Sequence, residues 1–426
     1  MSTTVYRPEL SADLLSLERA RARMLDGLRS LPVASVELDA AHGRVLAEPV
    51  DSLLTLPPWD NSAMDGFAVR AADVAGATRD APVTLSVAGE AAAGRAATAA
   101  VGPGSAVRIL TGAPLPDGAD AVVPVELTDI PPGAGALPER VVIFAPIAAG
   151  GHIRRAGSDL QAGRRVLEAG TELGSAQLAV VAAAGHGVLR VHRPPRVALL
   201  STGDELVPAG TTPGPAQIPD SNSVGLGALA RESGAEARAL GIATDDLDDV
   251  IGRLREGLDW ADVIVVSGGV SVGARDVVKD AFASVGQIDL WRVAVQPGKP
   301  LAFGRATGVP GEVLLFGLHS NPVSSLVTFE LFVRPVLRRL AGHADVLGRQ
   351  VVRARLTDDV TKSPGRRAFL RVKLDETAEG DFAARLAGGQ DSHVLSALAA
   401  ADGLAIIPEE QDGLPAGSEV EVIRIR

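Results

Sequence analysis

Apolar residues recur at helical spacing between positions 9 and 30, at Leu10, Leu14, Leu17, Met24, Leu25 and Leu28, with charges between them. The spacing predicts an amphipathic helix with its cap at or near Ser11. A shorter helical segment is expected over residues 40–46. From 69 to 145 the pattern becomes short Val-rich runs (83–88, 106–110, 121–127, 141–144) broken by Gly and Pro, which predicts a small β domain. Pro131-Pro132-Gly133 reads as an exposed hairpin loop, and a helix is expected over 175–184.

Two prolines within residues 192–196 interrupt the apolar runs and mark a boundary. Beyond it, strands at 197–201, 237–242 and 262–266 alternate with helices at 222–231, 247–258 and 275–285. Apolar runs at 288–295, 301–304 and 313–317 follow, then a helix from 323 to about 340. This is the pattern of a doubly wound α/β domain. After a linker at 342–350, residues 351–426 alternate apolar and polar positions and predict a C-terminal β domain. The expected fold class is therefore α/β plus β, in several domains. Residues 1–55 and 146–190 are expected to form an N-terminal helical and mixed domain. A β domain (56–145) is inserted in it, and the α/β domain (191–342) and the C-terminal β domain (350–426) follow.

The most informative stretch is DVIVVSGGVSVGARD, residues 262–276. Its continuous apolar run suits a strand buried on both faces. The run ends in Ser267-Gly268-Gly269, with Ser271 and Gly273 following. Such a turn lets the backbone approach a ligand and offer N–H groups to it, and the next helix directs its positive end there. Asp276 stands at that helix start. The same residues would also make a plain tight turn with an N-terminal acid, but Ser, Gly and Asp at the carboxyl end of a buried strand point to phosphate and a hard cation. Open α/β sheets bind ligands at the carboxyl ends of their strands, where Glu205, Asp245, Ser267 to Gly273, Lys299 and Asn321 are expected to gather.

Elsewhere, LPPWDNSAMDGFA (56–68) places Asp60, Asn61, Ser62, Asp65 and Gly66 within seven residues. All are turn formers, but Trp59, Met64 and Phe67 among them suggest a shaped polar loop. Thr111-Gly112 and Asp117-Gly118 supply turn chemistry at strand ends. The pair Arg154-Arg155, followed by Asp159, suits either solvated surface or anion binding.

Composition narrows the chemistry. The 426 residues include no cysteine, which removes disulfides, thiolate zinc sites and cysteine nucleophiles and fits a reducing compartment. No apolar run approaches the ~20 residues of a membrane span, and the N-terminus lacks the pattern of a signal peptide. A net charge of -11 argues against general nucleic-acid binding. Lysine supplies only four of the 41 basic residues, at 279, 299, 362 and 373. Lys299, held in a Pro-Gly-Lys-Pro turn, is a point charge suited to phosphate. The acids Asp204, Glu205, Asp245, Asp276, Asp60 and Asp65 are hard oxygen ligands of the kind Mg²⁺ accepts beside phosphate. No P-loop, dinucleotide fingerprint or HExxH motif is present, and no Ser-His-Asp set is legible. Residue chemistry thus reaches a Mg²⁺-assisted site for a phosphorylated, nucleotide-containing small molecule, and leaves the reaction open.

Several ordered stretches resemble one family, the molybdopterin molybdenumtransferases (MoeA), shared with the E domain of gephyrin. They are PPWDNSAMDGFAVR (57–70), RILTGAPLPDGADAVV (108–123), HIRRAGSDLQAG (152–163), STGDEL (201–206), PDSNS (219–223), SGGVSVGARD (267–276), QPGKPLAFG (296–304) and NPVSS (321–325). GRRAFLRVKL (365–374) is a weaker C-terminal echo. The resemblance implies a cytoplasmic enzyme of molybdenum cofactor biosynthesis. It would insert molybdate into adenylylated molybdopterin, hydrolyse the phosphoanhydride and release AMP with Mg²⁺. It also implies an elongated subunit in a homodimer whose cleft the partner chain completes, and contact with the molybdopterin adenylyltransferase. Carried over by motif, Asp60, Thr111, Glu205, Asp245, Asp276 and Lys299 fall at positions needed for activity. Asp276 and Glu205 would hold the metal. Ser267, Gly268, Gly269, Ser271, Gly273, Pro297, Gly298, Asn321 and Pro322 would line the substrate, with Arg371 and Ser392 joining from the C-terminal domain. Two positions depart from the family. His319-Ser320 replaces the usual Pro-Gly, so a positive φ at Ser320 would be strained, and Gln296 stands where many members carry lysine. A non-catalytic molybdopterin-binding or scaffold protein of the same fold is the alternative. The adenylylating step is a weaker one, against which the extra domains argue.

Overall fold

The structure is a computed structural model that describes residues 14–95, 97, 99–133, 135–269, 277–378 and 380–426, with the backbone alone at Leu290. The first helix, α1 (Leu17–Leu25), starts at Ser16, whose hydroxyl accepts the Arg19 amide, and buries Leu17, Ala20 and Met24. It is shorter than the expected 9–30 helix: Asp26 leaves helical geometry and Gly27 takes φ +66°. Leu10 and Ser11 lie outside the described residues.

The N-terminal unit consists of short antiparallel pairs. β1 (Val33–Glu37) and β2 (Val50–Asp51) pair with late strands of the unit, as given below. No helix forms at 40–46. A 3-10 turn covers Leu38–Ala40, Gly43 turns at φ +71°, and Val45 and Leu46 bridge to Glu172 and Val191 instead. Then come β3 (Asn61–Ser62), β4 (Gly66–Val69), the short α2 (Ala71–Val74), β5 (Val83–Ala91), β6 (Ser105–Ile109), β7 (Ala121–Pro124) and β8 (Arg140–Ile143). The last five strands form one sheet in the order β7-β4-β6-β5-β8. The expected polar loop is therefore only half loop. Its carboxyl part is the fully buried β4, where a Cβ on Gly66 would lie 2.0 Å from the Val123 carbonyl oxygen, so only glycine fits.

The chain then returns through β9 (Ile153–Arg154), which pairs with β3, and β10 (Arg165–Leu167), which pairs with β2. It continues through α3 (Ser175–Ala183) to β11 (Val188–His192), which pairs with β1.

The α/β domain contains β12 (Arg196–Thr202), β13 (Leu206–Val207), β14 (Ile218–Pro219), α4 (Asn222–Glu232), β15 (Glu236–Ala243), α5 (Leu247–Leu258), β16 (Val263–Ser267) and α6 (Val277–Val285). It continues with β17 (Gly286–Arg292), β18 (Val295–Gln296), β19 (Pro300–Gly308), β20 (Gly311–Leu318) and α7 (Pro322–Thr328). The main sheet runs β15-β12-β16-β20-β19-β17. Its first four strands are parallel, and β20, β19 and β17 pair antiparallel. Alternation along β12 and β16 explains the two helix layers. Val197, Leu199, Val263 and Val265 pack with Leu226, Val323 and Val327, while Ala198, Leu200, Ile264 and Val266 pack with Val250, Leu254 and Phe282.

The expected helix 323–340 is interrupted by a π turn, Phe329–Val333, between α7 and α8 (Arg334–Leu340). Pro335 has no N–H to complete the ladder. The Leu331 carbonyl instead accepts the Arg21 Nε at 2.7 Å, which ties α1 to this helix.

The C-terminal domain comprises β21 (Val351–Leu356), β22 (Val360–Thr361), β23 (Arg367–Glu376), β24 (Phe382–Leu386), α9 (Leu395–Ala400), β25 (Gly403–Ile407), β26 (Gly413–Leu414) and β27 (Glu419–Arg424). The pairings β23-β24-β21-β27-β25 return to β23 and close a small barrel. β18 joins this barrel in parallel with β23, with Val295 opposite Arg367 and Gln296 opposite Ala368. A piece of the α/β domain thus enters the neighbouring sheet. Among the described residues no helix is long and apolar enough to cross a membrane.

Candidate active site

Four parallel strands deliver their carboxyl ends to one edge. β12 leads into Gly203, Asp204 and Glu205. Gly203 has φ +150°, and a Cβ there would lie 2.4 Å from Glu205 Oε2, so the glycine makes room for the folded-back carboxylate. β15 leads to Asp245, whose N–H donates to Asp204 Oδ1 at 3.2 Å. Burial, then the charges of Asp204 and Glu205, push the Asp245 carboxyl above its ordinary range. A cavity of about 490 Å³ opens beside these acids, lined in part by Gly203, Asp204, Asp220, Ser223 and Thr244.

β16 delivers Ser267, whose hydroxyl accepts the Asn222 carboxamide at 2.7 Å. Gly268 and Gly269 take φ +112° and +61°. A Cβ on Gly268 would lie 2.5 Å from the Thr202 carbonyl oxygen, and one on Gly269 2.5 Å from Val278 Cγ2. Glycine is required at both by geometry and by space. The Gly268 amide is already bonded to the Leu318 carbonyl at 3.1 Å, so it is not offered to a ligand as the sequence suggested. Ser271, Gly273 and Asp276 lie outside the described residues.

Below this turn, Ser201 Oγ, Thr202 Oγ1, Asn222 Oδ1 and Ser325 Oγ are buried with no partner among the described residues. Ser201 and Thr202 end β12, Asn222 begins α4 and Ser325 lies in α7; unpaired buried polar atoms cost roughly 1–3 kcal/mol each, so a further polar partner here would be stabilising.

Lys299 is exposed in the turn just before β19, whose Ala302 pairs with Gly317 near the carboxyl end of β20. Its carbonyl accepts the Val293 amide at 2.8 Å, and Gly298 (φ +102°) packs so closely that a Cβ would lie 2.1 Å from Thr328 Cγ2. Pro297 and Gln296 complete the turn that joins β23, and Gln296 Oε1 is buried with no partner among the described residues.

Asn321 caps α7 ahead of Pro322, and its Nδ2 donates to Ser392 Oγ at 2.9 Å. Two expected substrate residues from different domains are thus bonded to each other. Arg371 stands differently. It is 1% exposed, and its Nη2 donates to the Gly389 and Asp391 carbonyls at 3.0 and 3.1 Å. The guanidinium braces the loop that carries Ser392 and does not face outward. Ser320 is absent from the positive-φ residues, so the anticipated strain is not realised.

Asp60 and Thr111 form a second cluster in the N-terminal unit. Asp60 accepts the Ala156 amide at 2.8 Å and the Arg155 guanidinium at 2.5 Å, and in that order these bonds hold it below its ordinary range. Thr111 donates through N and Oγ1 to Asp65 Oδ1 at 2.7 and 2.8 Å, which lowers Asp65 likewise. The named partners of Asp60 and Thr111 all lie between residues 65 and 156, so among the described residues no hydrogen bond joins this cluster to the strand ends. Exposed Leu53, Leu54, Trp59 and Leu110 belong to the same unit.

Of the contributing residues, Asn222 is missing from the sequence-based site candidates and enters only as the start of the expected 222–231 helix and within PDSNS. Its second bond, from Nδ2 to the Ser320 carbonyl at 2.7 Å, links α4 to the Asn321 turn. A polar residue placed just after Asp220-Ser221, at a helix start facing the strand ends, was the available signal.

No group of three or more His, Asp or Glu in metal-binding arrangement occurs among the described residues. Mg²⁺ beside phosphate commonly uses only one or two carboxylates. The mutual repulsion at Asp204, Glu205 and Asp245 is the environment that such a cation relieves, and the donor set fits it on that ground.

Three family models match in order: the MoeA N-terminal region (domains I and II) over residues 15–185, a probable molybdopterin binding domain over 198–339, and the MoeA C-terminal region (domain IV) over 353–425. Molybdopterin molybdenumtransferase 2 of Mycobacterium tuberculosis is 42% identical over 411 residues, covering 95% of this chain and 97% of that protein. The molybdopterin molybdenumtransferase of Nostoc sp. is 38% identical over 392 residues, covering 92% and 88%. A molybdopterin biosynthesis MoeA crystal structure from Pyrococcus horikoshii superposes with TM-score 0.80 at 27% identity, covering 97% of this chain and all of that one. Another, at 32% identity, gives 0.76 with the same coverage. The strand-end site thus sits in a chain matched from its first helix to its last strand, and that chain belongs to the MoeA family.

Proposed function

We propose that the protein is a molybdopterin molybdenumtransferase that inserts molybdenum into molybdopterin during molybdenum cofactor biosynthesis. The observation that carries this is membership of the MoeA family along the whole chain, and the strand-end site supplies the matching chemistry: the Gly268-Gly269 turn, the acids Asp204, Glu205 and Asp245, and exposed Lys299.

The finer reading is that the substrate is adenylylated molybdopterin and that AMP leaves. Lys299 neutralises phosphoanhydride charge. The Ser267 hydroxyl and the Asn222 carboxamide shape the seat from below. The acids orient the attacking water, Asp245 among them with a proton affinity above that of an ordinary carboxyl. Mg²⁺, held by Glu205 with substrate phosphate oxygens and by Asp276, would supply further charge neutralisation. Molybdate is the second substrate.

Among the described residues the Asp60–Thr111 cluster carries no bond to this site, and it lies in a unit with exposed Leu53, Leu54, Trp59 and Leu110. A homodimer in which each chain brings this cluster to its partner's strand-end site accounts for both facts. A cytoplasmic location and delivery by the molybdopterin adenylyltransferase fit the same reading.

AMP release from adenylylated molybdopterin with Mg²⁺, with and without molybdate, tests the proposal. Molybdate-dependent AMP supports it, whereas tight binding without turnover would favour the scaffold alternative. Light scattering of Trp59→Asp tests the dimer, with a shift toward monomer expected.

A further inference from the structure

The turn from β20 to α7, residues 318–323, is tied to its surroundings at every step. The Leu318 carbonyl accepts the Gly268 amide, and the Ser320 carbonyl accepts Asn222 Nδ2. Asn321 Nδ2 reaches Ser392 Oγ, and the Val323 amide donates to the Ser392 carbonyl at 3.3 Å. One bond lies inside the turn itself: the Asn321 N–H donates to His319 Nδ1 at 3.0 Å. A nitrogen that accepts is unprotonated, so in the neutral ring the proton is on Nε2. Burial pushes the His319 imidazole below its ordinary pKa and keeps that acceptor available.

We propose that His319 is a positioning residue of the transferase: its Nδ1 fixes the Asn321 backbone so that the Asn321 carboxamide spans to Ser392 and the start of α7 is set against the glycine turn. His319 acts through Asn321 and need not touch substrate. The barrel loop braced by Arg371 holds the other end of the same span. The C-terminal domain therefore meets the strand-end site at Ser392, through the Asn321 carboxamide, whose backbone His319 sets, and through the Val323 amide. This rests on the transferase reading for its kinetic consequence, but not for the bond itself.

The test compares the full-length protein with His319→Asn, His319→Leu and Ser392→Ala. The Asn Oδ1 can replace Nδ1 as acceptor, while Leu keeps bulk and removes the acceptor. Amide hydrogen exchange over the Asn321 segment is measured first, without substrate. Exchange should accelerate about three- to tenfold in His319→Leu and stay near wild type in His319→Asn, the ratio that one ordinary hydrogen bond supports. In the AMP-release assay, His319→Leu and Ser392→Ala should raise KM by a similar factor with kcat less affected, and His319→Asn should restore it. Equal behaviour of the Asn and Leu variants would overturn the proposal, as would unchanged exchange in both. A wild-type protein that releases no AMP would instead refute the transferase reading, leaving the exchange result to decide the role of His319.

Discussion

The two polar clusters differ in how they treat their carboxylates. In the N-terminal unit, Asp60 and Asp65 are held below their ordinary range by amides, Arg155 and the Thr111 hydroxyl. At the strand ends, Asp245 is held above it by burial and by its acidic neighbours. Among the described residues, buried atoms without partners follow the same division: Asn61 Oδ1 belongs to the first cluster, while Ser201, Thr202, Asn222 and Ser325 lie about the second. The acids of the first cluster are satisfied by partners from other segments of the N-terminal unit and are preorganised. The second is incomplete until something charged and polar fills it. A binding centre is recognised by what its residues still lack, more than by how many acids it contains.

The largest expected effect that separates the two is on catalysis. Lys299→Ala should lower kcat/KM for AMP release by about a hundredfold or more, since it removes a positioned charge from a developing anion. Its exposure predicts an unchanged Tm. If Thr111→Val alone abolished activity and Lys299→Ala did not, the ranking of the clusters would be reversed.

Packing beneath Lys299 gives the next effect. Gly298→Ala forces a Cβ into Thr328 Cγ2. It should destabilise by about 1–3 kcal/mol, read as a lower Tm, and reduce activity along with it.

The mildest test is pH dependence, where the signs oppose. Asp245 has a raised folded pKa, so the native state binds its proton more tightly than the unfolded chain. Its contribution to stability falls as pH rises through the window between the two values. Asp245→Asn should raise Tm at neutral pH, with the gain fading as pH falls from the raised folded value toward the ordinary carboxylate value and absent below it. Asp60 and Asp65 have lowered folded pKa values. Their contribution is present above the ordinary range and is lost as pH falls through the folded values. Asp65→Asn should lower Tm at neutral pH and converge with wild type in acid. Shifts of the same sign at both sites would remove the contrast.

Much of the α/β domain was legible because its signals are local. Val263–Ser267 is a continuous apolar run, and Leu247–Leu258 carries the Asp246 cap and helical period that set its bounds. What escaped depends on partners distant in sequence. β4 was read as loop because Asp65 and Gly66 dominate its start, yet Gly66 is there to let Val123 approach. The π turn follows from Pro335 together with Arg21, more than 300 residues earlier. The joining of Val295–Gln296 to the C-terminal barrel has no local pattern at all. At the site, Asp245 and Lys299 were legible from chemistry at strand ends. The inward role of Arg371 and the His319–Asn321–Ser392 span needed side-chain positions.

Whether the strand-end site performs molybdenum insertion is decided by AMP release from adenylylated molybdopterin, measured for the purified protein beside Lys299→Ala. Molybdate-dependent AMP is expected from wild type and about a hundredfold less from the variant, with both folded. Equal AMP from both, or none from wild type despite tight substrate binding, would contradict that expectation.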